Sequence, residues 1–307
     1  MARLSLVAPA SRFPAPGAVL ELLKPITWFA PVWAYFCGIV SVGGPGGAGS
    51  WAAAGLGLVL AGPLVCATSQ AVNDWFDRDV DAINEPGRPI PSGRVPGRWG
   101  LYIACVGTGL SALAALSLGP IVAAAAVVGL ALAWAYSAPP FRLKRSGVWG
   151  PLAVGLCYEG LAWFTGAAAT SGTAPGIAVV SLAGLYSLGA HGIMTLNDFK
   201  AIEGDRRLGL RSLPVVLGPA RAARAACVIM AVPQLAAAAL LFGWDRPWFA
   251  AAVLAGVAVQ GLLMVRLLRD PQKYAPWFNA TGTSLFVLGM LACALAVSPA
   301  AGGSHAG

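Results

Sequence analysis

Two short acidic segments contain the residues of this chain that are best suited to chemistry. They are residues 73–81, with the sequence NDWFDRDVD, and residues 197–205, with the sequence NDFKAIEGD. The chain has only 12 acidic residues, and seven of them lie in these two segments. Carboxylates concentrated in this way need a strong electrostatic partner. A hard divalent cation such as Mg2+ takes oxygen ligands and commonly bridges to substrate phosphates, so the pattern predicts a magnesium site for a phosphorylated ligand.

The spacing of the first segment places its carboxylates on one face of a helix. Asp74, Asp77 and Asp81 follow the pattern i, i+3, i+7, and Asn73 pairs with Asp77 at i, i+4. Three carboxylates on one face repel one another unless cations lie among them, which favours a cradle for Mg2+ ions and a diphosphate. A solvated helix end and a Ca2+ site are the alternatives. A solvated helix end would not require the Asn-Asp pair to occur twice in the chain. Ca2+ loops usually recruit backbone carbonyls at close spacing, which this pattern does not suggest.

The composition of the chain predicts a membrane protein. Hydrophobic residues make up 58% of the sequence and charged residues only 10%, with a mean hydropathy of +0.73. Soluble domains carry about 25% charged residues, so this chain has too few to cover a surface that faces water. Nine apolar stretches are each long enough to cross a bilayer as a helix. We therefore predict an all-α, polytopic bundle that forms a single domain over residues 1–307. The predicted helices lie near residues 25–42, 51–72, 100–118, 120–138, 149–170, 175–196, 222–243, 247–268 and 279–298.

Basic residues alternate sharply between the two sides of this predicted bundle. Nineteen of the 20 lysines and arginines lie in the N-terminal segment and in every second loop, and only Arg246 lies in the other set. The positive-inside rule then places the N-terminus and both acidic segments in the cytoplasm, and the C-terminus on the opposite side. The net charge of +8 is explained by this topology and does not indicate binding to nucleic acid.

Some of these basic residues are also suited to bind phosphate. Arginine and lysine are good partners for phosphate oxygens. Arg78, Arg88, Lys144 and Arg145 lie in or beside the motif segments, whereas Lys24, at the mouth of the first helix, is a weaker candidate. Topology alone accounts for most of the others.

The motifs resemble those of the UbiA-type intramembrane prenyltransferases. The pattern N-D-x-x-D-x-x-x-D of residues 73–81 looks like the first signature of that family, and residues 197–214 look like the second. The resemblance covers nearly the whole chain and includes the nine helices and the run YSAPP that begins at Tyr136. It implies a single bundle with its active site at the cytoplasmic face.

Several passages are similar to one branch of the family, the chlorophyll and bacteriochlorophyll synthases. They are residues 81–93, 136–145 and 197–206, and residues 191–196, HGIMTL, are more similar to the bacteriochlorophyll enzymes than to the plant type. The resemblance implies Mg2+-dependent transfer of a geranylgeranyl or phytyl group from its diphosphate to the propionate of a bacteriochlorophyllide. It also implies a bacterial inner or intracytoplasmic photosynthetic membrane, and it is compatible with partners from photosynthetic assembly or pigment biosynthesis.

The resemblance assigns roles to residues of this chain. The second signature of the family is commonly D-x-x-x-D, which would place an aspartate where Ala201 stands, so Asp198 or Glu203 substitutes as a ligand. The implied catalytic residues are Asp74, Asp77, Asp81, Asp198 and Asp205, and the implied metal ligands are these five and Glu203. The implied substrate-binding residues are Asn73, Arg78, Arg88, Lys144, Arg145, Glu159, His191, Asn197, Lys200 and Arg206.

Two of these residues are predicted to lie within the membrane, and each has two interpretations. Glu159 lies inside the fifth helix, where an ionisable group costs roughly 2.5–3.5 kcal/mol and usually faces a partner in the bundle. It either contacts the macrocycle or makes an interhelical hydrogen bond. His191 either binds the macrocycle, through its metal or its carboxyl group, or bonds to a neighbouring helix.

Other functions remain as alternatives. Within the family, chlorophyllide, haem and a quinone precursor are rival acceptors. A transporter would more commonly place charges at the bilayer midplane and break its helices there, whereas here only Glu159 lies deep among the acidic residues. A pigment-binding protein without catalysis would need histidine ligands within its helices, and only His191 qualifies.

Overall fold

The structure is a computed structural model that describes residues 12–302. Within this range nine helices are long and apolar enough to cross a membrane. They confirm the predicted all-α bundle, since these residues form no sheet and only one isolated backbone bridge. The nine helices are α1 (Pro16–Ser41), α2 (Gly49–Asn84), α3 (Trp99–Ser117), α4 (Pro120–Ser137), α5 (Trp149–Ser171), α6 (Ile177–Arg207), α7 (Pro219–Gly243), α8 (Pro247–Arg269) and α9 (Pro271–Val297).

Proline and glycine punctuate the helices. Proline is the first residue of α1, α4, α7, α8 and α9. Its fixed φ suits the first turn of a helix, and the amide hydrogen that it lacks would have no partner there. Gly172 follows α5 with a φ of +73°, the left-handed conformation that commonly ends a helix and that glycine adopts without strain.

Four helices extend two turns or more beyond the apolar stretches that predicted them. α2 continues to Asn84, so the whole first acidic segment is helical. α6 continues to Arg207 through a 3-10 turn at Asp198–Ala201. α1 begins at Pro16 and α9 at Pro271, both earlier than predicted. Apolar runs mark only the part of a helix that lies in lipid, whereas backbone hydrogen bonding extends a helix into the polar boundary.

Two helices contain π-helical segments that touch each other. They are Leu60–Cys66 in α2 and Leu156–Leu161 in α5. Pro63 lies inside the first segment, where its missing amide hydrogen disrupts the usual pattern of hydrogen bonds. The Cys66 thiol lies 3.3 Å from the Tyr158 hydroxyl, so the two segments meet through these side chains.

Close contact between α1 and α5 depends on glycine. A Cβ atom on Gly38 would lie 2.2 Å from the Trp163 carbonyl oxygen, and one on Gly166 would lie 2.1 Å from the Tyr35 carbonyl oxygen. Such close approach of backbones is typical of helix packing in membranes, where small residues replace the hydrophobic driving force. The glycines thereby fix the separation of α1 and α5.

Candidate active site

All three aspartates on the predicted helix face are bound by basic side chains. Asp74 is 2% exposed, and its Oδ1 accepts a hydrogen bond of 2.7 Å from Lys24 Nζ. Arg88 Nη1 lies 2.9 Å from Asp81 Oδ2 and 3.5 Å from Asp74 Oδ1. A buried carboxylate needs such partners because burial without them is costly.

Asp77, the third aspartate on this face, is bound by Lys144. Burial lowers the pKa of Lys144 below the ordinary lysine value, and the nearby Asp77 carboxylate opposes that effect. Asn73 Nδ2 donates to Asp77 Oδ2 and to Ser137 Oγ, both at 3.1 Å. The predicted pair of Asn73 and Asp77 is therefore present, and it joins the end of α4 to the first acidic segment.

Local backbone geometry brings Lys24 to Asp74. Lys24 has a φ of +46° and is followed by a short 3-10 turn, Pro25–Trp28, that interrupts α1. Positive φ is uncommon in residues other than glycine, and proline disfavours helical conformation in the residue before it. The interruption of α1 thus places the lysine ammonium group against the aspartate of α2.

The second acidic segment is held by polar residues of neighbouring elements. Asp205 Oδ2 accepts a hydrogen bond of 2.7 Å from Ser212 Oγ, and Asn197 Oδ1 accepts one of 2.8 Å from Asn279 Nδ2. Asp198 begins the 3-10 turn that follows the regular part of α6. These contacts attach the segment to the loop before α7 and to α9.

Tyr136 connects the two segments. The tyrosine lies at the end of α4, and its hydroxyl is within electrostatic range of Asp198, Asp77 and Asp205. Asp198 and Asp205 also interact electrostatically with each other. Carboxylates from both acidic segments therefore lie near the Tyr136 hydroxyl.

Three residues of the predicted site make contacts away from this region. Glu203 is exposed and forms ion pairs with Arg206 at 3.2 Å and with Arg207 at 3.1 Å. Glu203 and Arg206, both predicted for the site, therefore bind each other. The Arg78 guanidinium lies 4.3 Å from the centre of the Trp75 ring and donates to the carbonyl of that residue at 2.8 Å.

Two further predicted basic residues differ in their surroundings. Lys200 is exposed, and it remains within electrostatic range of Asp198. Arg145 lines a separate cleft, and its side chain has no hydrogen bond or ion pair to either acidic segment among the described residues. Adjacent residues of a loop can point to different sites, and sequence spacing does not distinguish them.

Oxygen ligands in this region fit a hard divalent cation. Asp74 Oδ2 is buried and has no hydrogen-bond partner within the described residues, although Oδ1 of the same carboxylate is bound by Lys24. No group of three histidine, cysteine or acidic side chains in residues 12–302 is arranged as a ready-made metal cluster. Lysine and arginine side chains contact the carboxylates of the first segment, and an incoming cation with a diphosphate would have to share these partners.

Glu159 and His191 are both buried. Glu159 lies in the π-helical segment of α5, is 8% exposed, and its Oε2 has no hydrogen-bond partner in the part of the chain that the structure describes. His191 Nδ1 lies 3.4 Å from the hydroxyl of Thr195 on its own helix. Beside Glu159, the Tyr158 hydroxyl accepts a hydrogen bond of 3.0 Å from Gln70, which lies one turn before Asp74 in α2.

Sequence reasoning missed several residues of this region. Lys24 was the weaker candidate, yet it contacts the most deeply buried aspartate of the first segment. Tyr136 and Ser212 lie in the motif passages but carried no predicted role. Asn279 could have been noticed as an amide at the start of an apolar stretch. Their contacts join residues that are distant in sequence, so local spacing does not reveal them.

Comparison of the sequence with known proteins identifies its family. The sequence model of the UbiA prenyltransferase family matches residues 31–289. The chain belongs to the UbiA prenyltransferase family. It is 58% identical to the bacteriochlorophyll synthase 33 kDa chain of Cereibacter sphaeroides, over 92% of this chain and 94% of that protein. It is also 46% identical to the bacteriochlorophyll synthase 34 kDa chain of Chloroflexus aurantiacus, over 94% and 93%. Chlorophyll synthase of Oryza sativa is 40% identical, over 91% of this chain and 76% of that protein.

Solved structures share the same fold. A UbiA homologue from Archaeoglobus fulgidus, bound to DMAPP and Mg2+, superposes with a TM-score of 0.72 at 21% identity, over 91% of this chain and 98% of the homologue. The same homologue bound to GPP and Mg2+ gives a TM-score of 0.70 at 22% identity, over 88% and 99%. The resemblance to this family that the motifs predicted is thus confirmed. The bundle of nine helices within residues 12–302 of this multi-pass membrane protein is a UbiA fold.

Proposed function

We propose that this protein is a bacteriochlorophyll synthase that depends on Mg2+. It transfers a geranylgeranyl or phytyl group from the diphosphate to the propionate carboxyl of a bacteriochlorophyllide. The names of relatives that are 58% and 46% identical support the reaction, and the nearness of carboxylates to lysine and arginine side chains supports the use of a diphosphate. The convergence of both acidic segments near Tyr136 is the observation that carries the proposal.

The donor half of the reaction is assigned to the acidic segments and their basic partners. Asp74, Asp77, Asp81, Asp198 and Asp205 would hold Mg2+, which when bound neutralises charge on the leaving diphosphate. Lys24, Arg88 and Lys144 lie against the same carboxylates and stabilise the negative charge that grows on the diphosphate. The allylic carbon–oxygen bond breaks, and its electron pair remains on the diphosphate oxygen.

The acceptor half requires no strong base. The propionate of the acceptor is already ionised at neutral pH. One of its oxygen lone pairs forms the new bond to the allylic carbon, which gives an ester and free diphosphate. The apolar bundle keeps water away from the allylic cation as it develops. Glu159 and His191 are assigned to the acceptor pocket because they are buried polar groups on α5 and α6, two helices that pack against each other.

A reconstitution assay tests this function. Purified protein in lipid nanodiscs receives Mg2+, labelled geranylgeranyl diphosphate and one acceptor at a time: bacteriochlorophyllide, chlorophyllide, haem or a quinone precursor. We expect the labelled ester of bacteriochlorophyllide, loss of turnover in EDTA and recovery when Mg2+ is added again. Preference for another acceptor would refute the assigned substrate, and full turnover in EDTA would refute the metal site.

The proposal includes the orientation of the protein. The N-terminus and the acidic segments lie in the cytoplasm of a bacterium, in its inner or intracytoplasmic membrane, and the C-terminus lies on the opposite side. The asymmetry of basic residues supports this orientation. A water-soluble diphosphate product would then leave directly into the cytoplasm.

A further inference from the structure

A cleft with basic walls lies between two loops, on the side of the bundle where both acidic segments lie. Residues 138–148 connect α4 to α5, and residues 208–218 connect α6 to α7. The two loops are joined by backbone hydrogen bonds from Gly147 to the Arg211 carbonyl at 2.9 Å and from Arg211 to the Arg145 carbonyl at 3.0 Å. The cleft beside this junction has a volume of about 430 Å3.

Glycine makes the junction possible. A Cβ atom on Gly147 would lie 2.5 Å from the amide nitrogen of Leu213 and 2.8 Å from the Arg211 carbonyl oxygen. Any other residue at this position would force the loops apart. The cleft is therefore a defined part of the fold, and its two walls are held in register by backbone contacts.

Three arginines line this cleft without an anionic partner. The side chains of Arg142, Arg145 and Arg211 make no hydrogen bond or ion pair with another described residue. Arg142 Nε is moreover buried without an acceptor. An unsatisfied buried donor such as Arg142 Nε is costly, and the exposed Arg145 and Arg211 present unpaired guanidinium groups beside it. Orientation of the protein in the membrane needs basic loops, but it does not need three unpaired arginines around one cleft.

Apolar side chains form the rim of the cleft at the membrane boundary. α4 ends at Ser137 and α5 begins at Trp149, so the loop between them lies where the apolar spans end. Phe141 is 70% exposed and Trp149 is 61% exposed, and Val148 and Val216 are exposed beside them. Tryptophan is enriched at this level of a membrane. A soluble anion would use the arginines alone, whereas an anionic lipid would use both the arginines and the apolar rim.

We propose that this cleft binds the phosphate group of an anionic phospholipid, with the acyl chains against the apolar rim. Arginine suits this role because its planar fork binds phosphate oxygens in pairs. The site is distinct from the diphosphate site, because Lys144 of the same short turn contacts Asp77 while its neighbour Arg145 lines the cleft. A bound headgroup would also hold the turn that positions Lys144, a consequence that rests on the proposed function.

Lipid binding by matched variants tests the proposal without any substrate. The cleft variant is Arg145→Gln with Arg211→Gln. The control is Arg221→Gln with Arg224→Gln, which removes the same charge from exposed residues near the start of α7. Each protein is placed in phosphatidylcholine nanodiscs with increasing fractions of spin-labelled phosphatidylglycerol, and the immobilised lipid is measured by electron paramagnetic resonance. We expect the cleft variant to lose affinity for phosphatidylglycerol about tenfold, as the loss of charge-assisted hydrogen bonds predicts, and the control to bind as the unmodified protein does.

Two further experiments distinguish a lipid phosphate from a free phosphate and keep the test valid if a variant misfolds. We expect inorganic phosphate to displace the labelled lipid only weakly, and displacement at equal concentrations would mean a site for a free anion. Equal loss in both double variants would mean general attraction to a basic surface, which overturns the proposal. If the glutamine pair does not fold, Arg145→Lys with Arg211→Lys keeps the charge without the paired geometry, and unchanged affinity in that variant would also overturn the proposal.

Discussion

Asp74 illustrates how one side chain can serve both folding and chemistry. One of its oxygens is bound by Lys24 at 2.7 Å, and the other is buried without a partner in the described residues. A lone buried carboxylate would be costly in a membrane protein, so the lysine offsets its charge. The remaining oxygen is then available to a cation that arrives with the substrate.

The first residue-scale prediction compares Asp74→Asn with Asp79→Asn. Asp79 belongs to the same segment, but its side chain is 84% exposed, and its one ion pair among the described residues is with Arg78, at 3.6 Å. We expect Asp74→Asn to lower the initial rate about 10²–10³-fold, the scale on which one preorganised electrostatic partner acts. Asp79→Asn should keep nearly the full rate. Radiolabelled prenyl transfer at saturating Mg2+ gives the comparison, and equal rates in both variants would exclude a catalytic role for Asp74.

Glu159 gives the second residue-scale prediction. Its buried Oε2 lacks a hydrogen-bond partner among the described residues, so an apolar replacement removes a cost of folding. We expect Glu159→Leu to raise the melting temperature and to raise the KM for bacteriochlorophyllide about tenfold, because the acceptor loses a hydrogen bond. The KM for the prenyl diphosphate should not change. Glu159→Gln keeps the shape of the side chain and a hydrogen-bonding group. Its KM for bacteriochlorophyllide should lie between that of the unmodified protein and that of Glu159→Leu. An unchanged acceptor KM in Glu159→Leu would leave the residue with no part in acceptor binding.

At the scale of elements, sequence periodicity predicted the helix that presents the first acidic face but not the residues that complete the site. The spacing of Asp74, Asp77 and Asp81 requires only the local period of a helix. Lys24 reaches that face because α1 is interrupted after it, and Asn279 reaches Asn197 because α9 packs against α6. These contacts depend on backbone conformation and on helix packing, and neither is a function of local spacing.

The packing of α1 against α5 gives the element-scale prediction. Gly38→Ala would place a methyl group 2.2 Å from the Trp163 carbonyl oxygen, so the helices must separate. We expect it to lower stability by about 1–3 kcal/mol, the range for overpacking. Gly184→Ala is the control, because a Cβ atom there meets nothing within 4 Å and alanine favours the helix. Thermal unfolding in detergent should show a lower transition for Gly38→Ala only. Equal transitions would mean that the helices do not pack at this separation.

At the scale of the whole molecule, composition and the lengths of apolar runs predicted the all-α bundle and its number of membrane spans. Apolar stretches predicted nine spans because a bilayer imposes the length of its helices. The same physics explains the apolar exterior of the bundle, where Ile177, Leu262 and Trp248 are all more than 70% exposed. The ends of the helices were less predictable, since α2 and α6 continue into polar segments that apolar runs do not mark.

Orientation is the property of the whole molecule that most directly governs the proposed site. The asymmetry of 19 basic residues to one predicts that every second loop lies in the cytoplasm. Ser92 and Leu208 lie in loops of that set, and Gly46 and Thr173 lie in loops of the other set, all on exposed positions. Single cysteines at these positions can be introduced after Cys105, the one exposed native cysteine of the described residues, is replaced by serine.

Labelling of these cysteines in intact cells gives the last prediction. We expect a maleimide that does not cross the inner membrane to react with cysteine at Gly46 and Thr173, and to react at Ser92 and Leu208 only after the membrane is opened. The opposite pattern would reverse the orientation and release the diphosphate outside the cytoplasm. Labelling of cysteines at Ser92 and Leu208 from different sides of the membrane would contradict the proposed site itself. The two acidic segments that precede these residues would then lie on opposite faces, and they could not share one diphosphate.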